Sequence, residues 1–184
     1  MKTKIIVNLF GGPGSGKSTA AFYITAMLKM NGIDCEYTPE FAKDKVWEGN
    51  LDVFNCQFFV TGRQAWQIRR LFNKVEVIIT DSPIALGAPY ADSEELAACC
   101  IKEFNKYKEV NYNIVLNRTT DFISNGRRHS KEESSELDNK IIDLLNKNNI
   151  TYIKIRPSRE GYDNIVNIIL ALCSHKSEIL NKQR

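Results

Sequence analysis

The sequence predicts an α/β fold of three layers, with a five-stranded parallel sheet between two layers of helices. Three observations predict it. Short runs rich in β-branched residues alternate with longer segments whose apolar residues recur at helical spacing. The first run empties into Gly11-Gly12-Pro13-Gly14-Ser15-Gly16-Lys17-Ser18, which fits the phosphate-loop pattern G-x-x-x-x-G-K-[ST]. The third run, Val75 to Thr80, ends in Asp81-Ser82-Pro83.

Ile5 to Phe10 reads as a buried parallel strand that delivers the loop. In that loop the glycines at 11, 12, 14 and 16 allow positive φ angles and leave no Cβ between backbone N–H groups and an anion. Pro13 stiffens the bend. Gly12, Gly14, Ser15, Gly16, Lys17, Ser18 and Thr19 are the expected nucleotide-binding residues. Lys17 would reach the β- and γ-phosphates of ATP and the Ser18 hydroxyl would hold Mg²⁺, with the positive end of the next helix adding attraction. From Ser18 to about Met30, Ala20, Ile24, Met27 and Leu28 form an apolar stripe, and Asn31-Gly32 ends the helix.

Ile33 to Thr38 reads as the second strand, stopped by Pro39. Glu40, Lys43 and Asp44 follow at its C-terminal end, the edge where open parallel sheets bind ligands. Leu51 to Asn73 reads as one long helix or two broken near Gly62, with Phe54, Phe58, Phe59, Ile68 and Leu71 assigned to the core and Gln57, Arg63 and Gln64 between them. An apolar strand ending in an aspartate supplies the second half of a nucleotide site, so Asp81 is expected to hold the Mg²⁺ shell or face the acceptor.

Ser93 to Tyr107 reads as a surface helix and Asn111 to Leu116 as the fourth strand. The long polar loop that follows, about 117–130, has the composition of a lid over phosphates. Arg118, Arg127 and Arg128 are candidates for neutralising a transferring phosphoryl group, with a solvated basic loop as the alternative. His129 is assigned no catalytic part. Ser130 to Asn146 reads as a helix with Leu137, Ile141, Leu144 and Leu145 on one side, and Ile150 to Ile155 as the fifth strand. Arg156-Pro157-Ser158-Arg159 leaves that strand toward the expected adenine edge, and a helix from Tyr162 to about Ser174 closes the domain.

The 184 residues make one domain, 1–184, with 43% hydrophobic and 26% charged residues and no repetitive tract. A net charge of +3 selects no partner class. Five cysteines without C-x-x-C spacing argue against a disulfide framework or a zinc site, and buried reduced thiols are expected. No signal-peptide core or membrane span is legible, so a cytoplasmic protein with no membrane partner is expected; oligomeric state is not readable.

Three function classes compete. A small kinase needs ATP–Mg²⁺, an acidic residue near an acceptor hydroxyl and cations over the transition state. Lys17, Asp81, Glu40 and Arg127 are the candidate catalytic residues; Glu40 or Asp81 could orient or deprotonate the acceptor, and Asp44 stands nearby. A guanine-nucleotide switch wants D-x-x-G, where Asp81 is followed by Ser82-Pro83-Ile84, and Asn-Lys-x-Asp, where Asn117-Arg118-Thr119-Thr120-Asp121 has the wrong second residue and one residue too many. An oligomeric motor ATPase usually carries a further helical subdomain, for which 184 residues leave no room.

Phe10 to Thr19, Glu40-Phe41-Ala42-Lys43-Asp44, Ile79-Thr80-Asp81-Ser82-Pro83, Leu116-Asn117-Arg118 and Gly126-Arg127 together resemble the small phosphate-loop kinases common in bacteriophage genomes. These are often labelled ATPases and are related to ribosylnicotinamide-kinase-like proteins. The resemblance implies a nucleoside-kinase-like P-loop NTPase fold, ATP and Mg²⁺ as cofactors, and Arg118 and Arg127 at the nucleotide. Some members of the group phosphorylate 5-hydroxymethyluracil within phage DNA, which implies modified DNA as the nucleoside-type acceptor in a host cytoplasm. A free nucleoside or nucleotide, or nicotinamide riboside, is the alternative acceptor, and a regulatory P-loop NTPase the second alternative. For DNA, Trp47, Trp66, Arg63, Arg69, Arg70 and Lys74 are candidate contacts, against a plain solvated helix face.

Overall fold

The computed structural model describes residues 3–117 and 131–182. Ile5–Phe10 (β1), Cys35–Thr38 (β2), Val77–Thr80 (β3), Asn111–Leu116 (β4) and Ile153–Ile155 (β5) form one sheet in the order β2-β3-β1-β4-β5. Every pairing is parallel, and β1 runs in register with β3 from Ile5↔Val77 to Asn8↔Thr80. The helices are Lys17–Met30 (α1), Phe41–Trp47 (α2), Gln57–Arg69 (α3), Glu94–Asn105 (α4), Lys131–Lys147 (α5) and Arg159–Lys182 (α6). Two short 3-10 helices, Asp52–Asn55 and Ile84–Tyr90, complete the described elements. This is the three-layer α/β sandwich that the alternation of patterns predicts.

Alternation along β1 builds two cores. Ile5, Val7 and Leu9 pack with Ala20, Ile24 and Leu28 of α1 and Ile165 and Ile169 of α6. Ile6 and Phe10 face the other way, against Ile68, Phe104, Ile141 and Leu145. Asn8 shares that second face and is buried, yet its amide is satisfied: Nδ2 donates to Asn111 Oδ1 at 3.0 Å and Asn113 Oδ1 at 3.1 Å on β4. The Asn113 amide in turn donates to the Thr151 carbonyl at 3.0 Å. Because α1 follows β1 onto one face and the segment after β3 packs on the other, a crevice opens at the C-terminal ends of these neighbouring strands.

Several elements differ from expectation for local reasons. Strand two begins at Cys35 rather than Ile33, and strand three at Val77 rather than Val75. The fifth begins at Ile153 because Ile150 belongs to the end of α5: Asn149 adopts a φ of 53° and the Ile150 N–H donates to the Leu145 carbonyl at 2.9 Å. The 51–73 segment breaks at Cys56, while Gly62 lies inside α3. There α3 buries Val60, Gln64 and Ile68, one stripe along the helix. Phe58 and Phe59, assigned to the core, are therefore 70% and 46% exposed, which corrects that assignment. Helix α2 and the 3-10 helix at 84–90 were not anticipated, the latter masked by its own Gly87 and Pro89. α6 starts three residues earlier than expected and runs past Ser174.

No disulfide joins any of the five cysteines; Cys35, Cys100 and Cys173 are buried as expected, but Cys56 and Cys99 are exposed. Burial pushes the Cys35 thiol up to about 11. Among the described residues no helix is long and apolar enough to cross a membrane.

Replacing Asn8 by Ala would strand the Asn111 and Asn113 amides on a buried face. The expected loss is about 1–3 kcal/mol of unfolding free energy, read as a lower urea midpoint at unchanged slope.

Candidate functional site

The loop between β1 and α1 adopts the backbone its glycines permit. Gly11, Gly14 and Gly16 have φ values of 141°, 84° and 90°, a region that residues with a Cβ rarely enter. A Cβ on Gly11 would meet Ser15 Oγ at 2.5 Å, and one on Gly16 would lie 3.1 Å from both Pro157 Cβ and the Tyr162 hydroxyl. The turn into α6 thus packs against the base of the loop. Gly16 caps α1 in the left-handed conformation with no side-chain hydrogen bond, and the first turn holds no acidic residue. Such a terminus presents free amides and the positive end of a helix dipole to an anion.

Lys17 lies against the loop, its Nζ donating to the Gly11 carbonyl at 2.7 Å and the Gly12 carbonyl at 2.9 Å. The Gly12 N–H donates to Asp138 Oδ1 on α5. Ser15 is buried, and its hydroxyl has no hydrogen-bond partner among the described residues.

Asp81, directly after β3, is 1% exposed. The Ser18 hydroxyl donates to its Oδ2 at 2.7 Å, while Oδ1 has no hydrogen-bond partner among the described residues. A hydroxyl and a carboxylate so joined, with one buried carboxylate oxygen to spare, form the hard oxygen set that suits Mg²⁺ alongside phosphate oxygens and water. Among the described residues no group of three or more His, Cys, Asp or Glu side chains could hold a metal by itself. Tyr37 on β2 lies beside this carboxylate. Burial raises its phenol far above its usual range, with the charge of Asp81 and hydrogen bonding to it next in importance and Glu40 and Asp44 adding to the rise. The apolar-strand pattern alone gave no reason to single out Tyr37.

A cavity of about 600 Å³ runs from the loop past Asp81 and Glu40 to α3 and the 84–90 helix. Lys17, Ser18 and Thr19 line its loop end, and Phe54, Gln57, Val60, Thr61 and Gln64 line its far end. Its charged walls are Lys17, Lys43, Glu40, Asp81 and Glu133. Asp44 is exposed and is not among the residues lining it, though its charge acts on Tyr37 together with those of Asp81 and Glu40. Gln64, 5% exposed, spans this region: its Oε1 accepts from the Phe41 N–H and its Nε2 donates to Thr80 Oγ1, both at 3.4 Å. Both contacts are long for their type, which leaves the amide weakly held. Arg118, Arg127, Arg128 and His129 lie outside the described residues.

Strand order, loop backbone and the Ser18–Asp81 pair together define a P-loop NTPase-type domain with a kinase-like fold. The chain matches the AAA domain family over residues 6–161 and belongs to it. Deoxyadenosine kinase from M. mycoides with bound dATP superposes with a TM-score of 0.55 at 20% identity, covering 90% of this chain and 98% of that one. The NadR protein in complex with NR superposes with a TM-score of 0.62 at 15% identity, covering 90% of this chain and 50% of that one. Protein RecA of Pseudomonas putida is 36% identical over 97 residues, which span 48% of this chain and 27% of that protein. This chain therefore covers about a quarter of the curated relative's length.

Gly16→Ala forces a side chain into the left-handed region against Pro157 and Tyr162. A loss of about 1–2 kcal/mol from the backbone alone is expected in a denaturant titration, together with weaker binding of a fluorescent ATP analogue.

Proposed function

We propose that this chain is an ATP- and Mg²⁺-dependent kinase that transfers the γ-phosphoryl group to a hydroxyl of a nucleoside-type acceptor, the 5-hydroxymethyl group of 5-hydroxymethyluracil in DNA. The observation that carries the kinase reading is the cavity. It continues beyond the phosphate loop, past two carboxylates, into a space walled by Val60 and Phe54 and furnished with the amides of Gln57 and Gln64 and the Thr61 hydroxyl. A domain that only binds and hydrolyses nucleotide has no use for that second half. Its volume of about 600 Å³ lies within the range of small-ligand pockets.

In this reading the amides of Gly14, Ser15 and Gly16 and the first turn of α1, Thr19 included, cradle the phosphates, and the Gly12 amide joins them on leaving Asp138. Lys17 leaves the Gly11 and Gly12 carbonyls to meet the β- and γ-phosphates, and Ser18 and Asp81 hold Mg²⁺, which draws charge from the transferring group. Glu40, which lines the cavity where Asp44 does not, is the acceptor-side carboxylate that orients or deprotonates the hydroxyl. Arg118 and Arg127 remain the candidates for charge neutralisation by virtue of the resemblance. The DNA acceptor rests on the resemblance of the Glu40–Asp44 and Ile79–Pro83 segments. A free nucleoside or nicotinamide riboside is the second reading, favoured by a cavity whose described lining includes no arginine to meet an acceptor phosphate.

Transfer from γ-labelled ATP and Mg²⁺ tests both readings on a panel of 5-hydroxymethyluracil DNA, unmodified DNA, free nucleosides and nucleotides, and nicotinamide riboside. Label confined to the modified DNA is the expected result; label in a free nucleoside moves the assignment to the second reading. Release of phosphate with no acceptor labelled would remove the kinase reading. Lys17→Ala should abolish transfer while the thermal midpoint is preserved. Asp81→Asn should leave ATP binding measurable and cut turnover by at least about a hundredfold, losing its response to added Mg²⁺.

A further inference from the structure

Helix α3 has two unlike sides. Val60, Gln64 and Ile68 are buried, and Gln57, Val60, Thr61 and Gln64 line the cavity. The opposite side is exposed and carries Phe58, Phe59, Gly62, Arg63, Trp66, Arg69 and Arg70. At about 100° per residue these positions fall within an arc of about 140°, and from Phe58 to Arg70 they extend about 18 Å along the axis. Aromatic rings left in solvent on one helix are costly: Phe58 is 70% and Trp66 55% exposed, and Phe59, whose ring meets Phe41 edge-on, is still 46% exposed.

Charge on this face is of one sign. From Val53 to Val75 the chain carries no Asp or Glu, while Arg63, Arg69, Arg70 and Lys74 supply cations. No exposed Leu, Ile or Val lies on the arc, so it lacks the aliphatic centre of a helix–helix contact. Aromatic rings interleaved with arginines and free of carboxylates complement a polyanion that also offers flat faces for stacking.

We propose that the outer face of α3 is a docking surface for single-stranded nucleic acid, whose bases stack on Phe58, Phe59 and Trp66 while Arg63, Arg69 and Arg70 meet its phosphates. A strand lying there is one helix diameter, about 10 Å, from the cavity walled by the other side of α3. The inference deepens the DNA reading of the acceptor, and rests on it only for which nucleotide enters the cavity. Docking itself needs no ATP.

The test is fluorescence anisotropy of a labelled 20-residue oligothymidylate with the full chain, without nucleotide, over a salt series. Saturable binding that weakens with salt is expected. Phe58→Ala and Trp66→Ala should each weaken it about tenfold, since stacking on one ring contributes about 1–3 kcal/mol per base. The double change Arg69→Gln and Arg70→Gln should flatten the log–log salt slope by about 1.4. In a Trp47→Phe background Trp66 is the sole tryptophan, and its emission should be quenched by the oligonucleotide. Affinity for a fluorescent ATP analogue should stay unchanged in every variant, which separates lost docking from lost folding.

Absence of saturable binding at low salt would overturn the proposal, as would binding indifferent to these substitutions. Self-association that Phe58→Ala and Trp66→Ala abolish, with no oligonucleotide bound, would assign the face to a second copy and also overturn it. A 5-hydroxymethyluracil oligonucleotide that binds through this face but is never labelled would keep the docking surface and remove only the DNA acceptor. Label transferred to that DNA equally well by the aromatic variants would remove the docking surface and keep the acceptor.

Discussion

The structure depends on the parallel pairing of β1 with β3. Their register sets Asn8 beside Thr80, so the two chains leave the sheet side by side, one into the phosphate loop and the other into Asp81. Nothing local to either segment would bring a helix-start hydroxyl to a strand-end carboxylate 63 residues away, yet Ser18 and Asp81 are hydrogen-bonded at 2.7 Å. The sheet holds the pair in place through two buried faces of β1, so its geometry is fixed before any ligand arrives. Preorganisation of this kind removes the cost of gathering a hydroxyl and a charged group at the moment of binding.

Around that pair, buried polar groups are distributed unevenly. Deep in the sheet, Asn8, Asn111 and Asn113 satisfy one another, as interior amides must. At the crevice the pattern changes: Ser15 Oγ and Asp81 Oδ1 are buried without a hydrogen-bond partner among the described residues, and Gln64 is held by two 3.4 Å contacts. Buried polar groups left loose at this edge cost stability that a bound ligand can return. Helix α3 meets both worlds: its inner side walls the crevice and its outer side leaves rings in solvent.

Much of this was legible in the sequence because it is written in short-range patterns. The glycines of the loop, the strand-length apolar runs and an aspartate at a strand end identify both halves of the nucleotide edge, and the fourth strand was placed at Asn111–Leu116 without error. What escaped depends on choices that only packing makes. The 51–73 segment offers apolar residues in more than one helical register, and tertiary contact selected Val60, Gln64 and Ile68 over the phenylalanines. A glutamine took a buried position that propensity would have given to Phe59. Ile150 looked like the start of a strand and serves instead as the cap of α5. Tyr37 gave no signal because its significance comes from a neighbour on another strand. Asp44 sits on an exposed position of α2, a helix that the sequence pattern does not announce, and is not among the residues that line the cavity with Glu40.

The segment after Asp81 is where the proposed kinase and a nucleotide switch would differ. In a nucleotide switch this stretch must be free to rearrange when the γ-phosphate leaves, and a glycine gives it that freedom. Here Ser82-Pro83 leads into the 3-10 helix at 84–90, where Ile84 and Ala85 are 1% and 0% exposed and Ala88 is 8% exposed. Gly87 is packed so tightly that an added Cβ would meet Thr61 Oγ1 at 2.4 Å and Cys100 Sγ at 3.0 Å. Its role is close approach rather than flexibility, since its φ is not among the positive ones. The segment is thereby clamped between α3 and α4, and it walls the far half of the cavity through Ile84, Leu86 and Gly87. A wall that cannot move without breaking the core is poorly suited to reporting the state of a nucleotide. It would suit the proposed kinase, in which a second substrate must be held still against the first for in-line transfer.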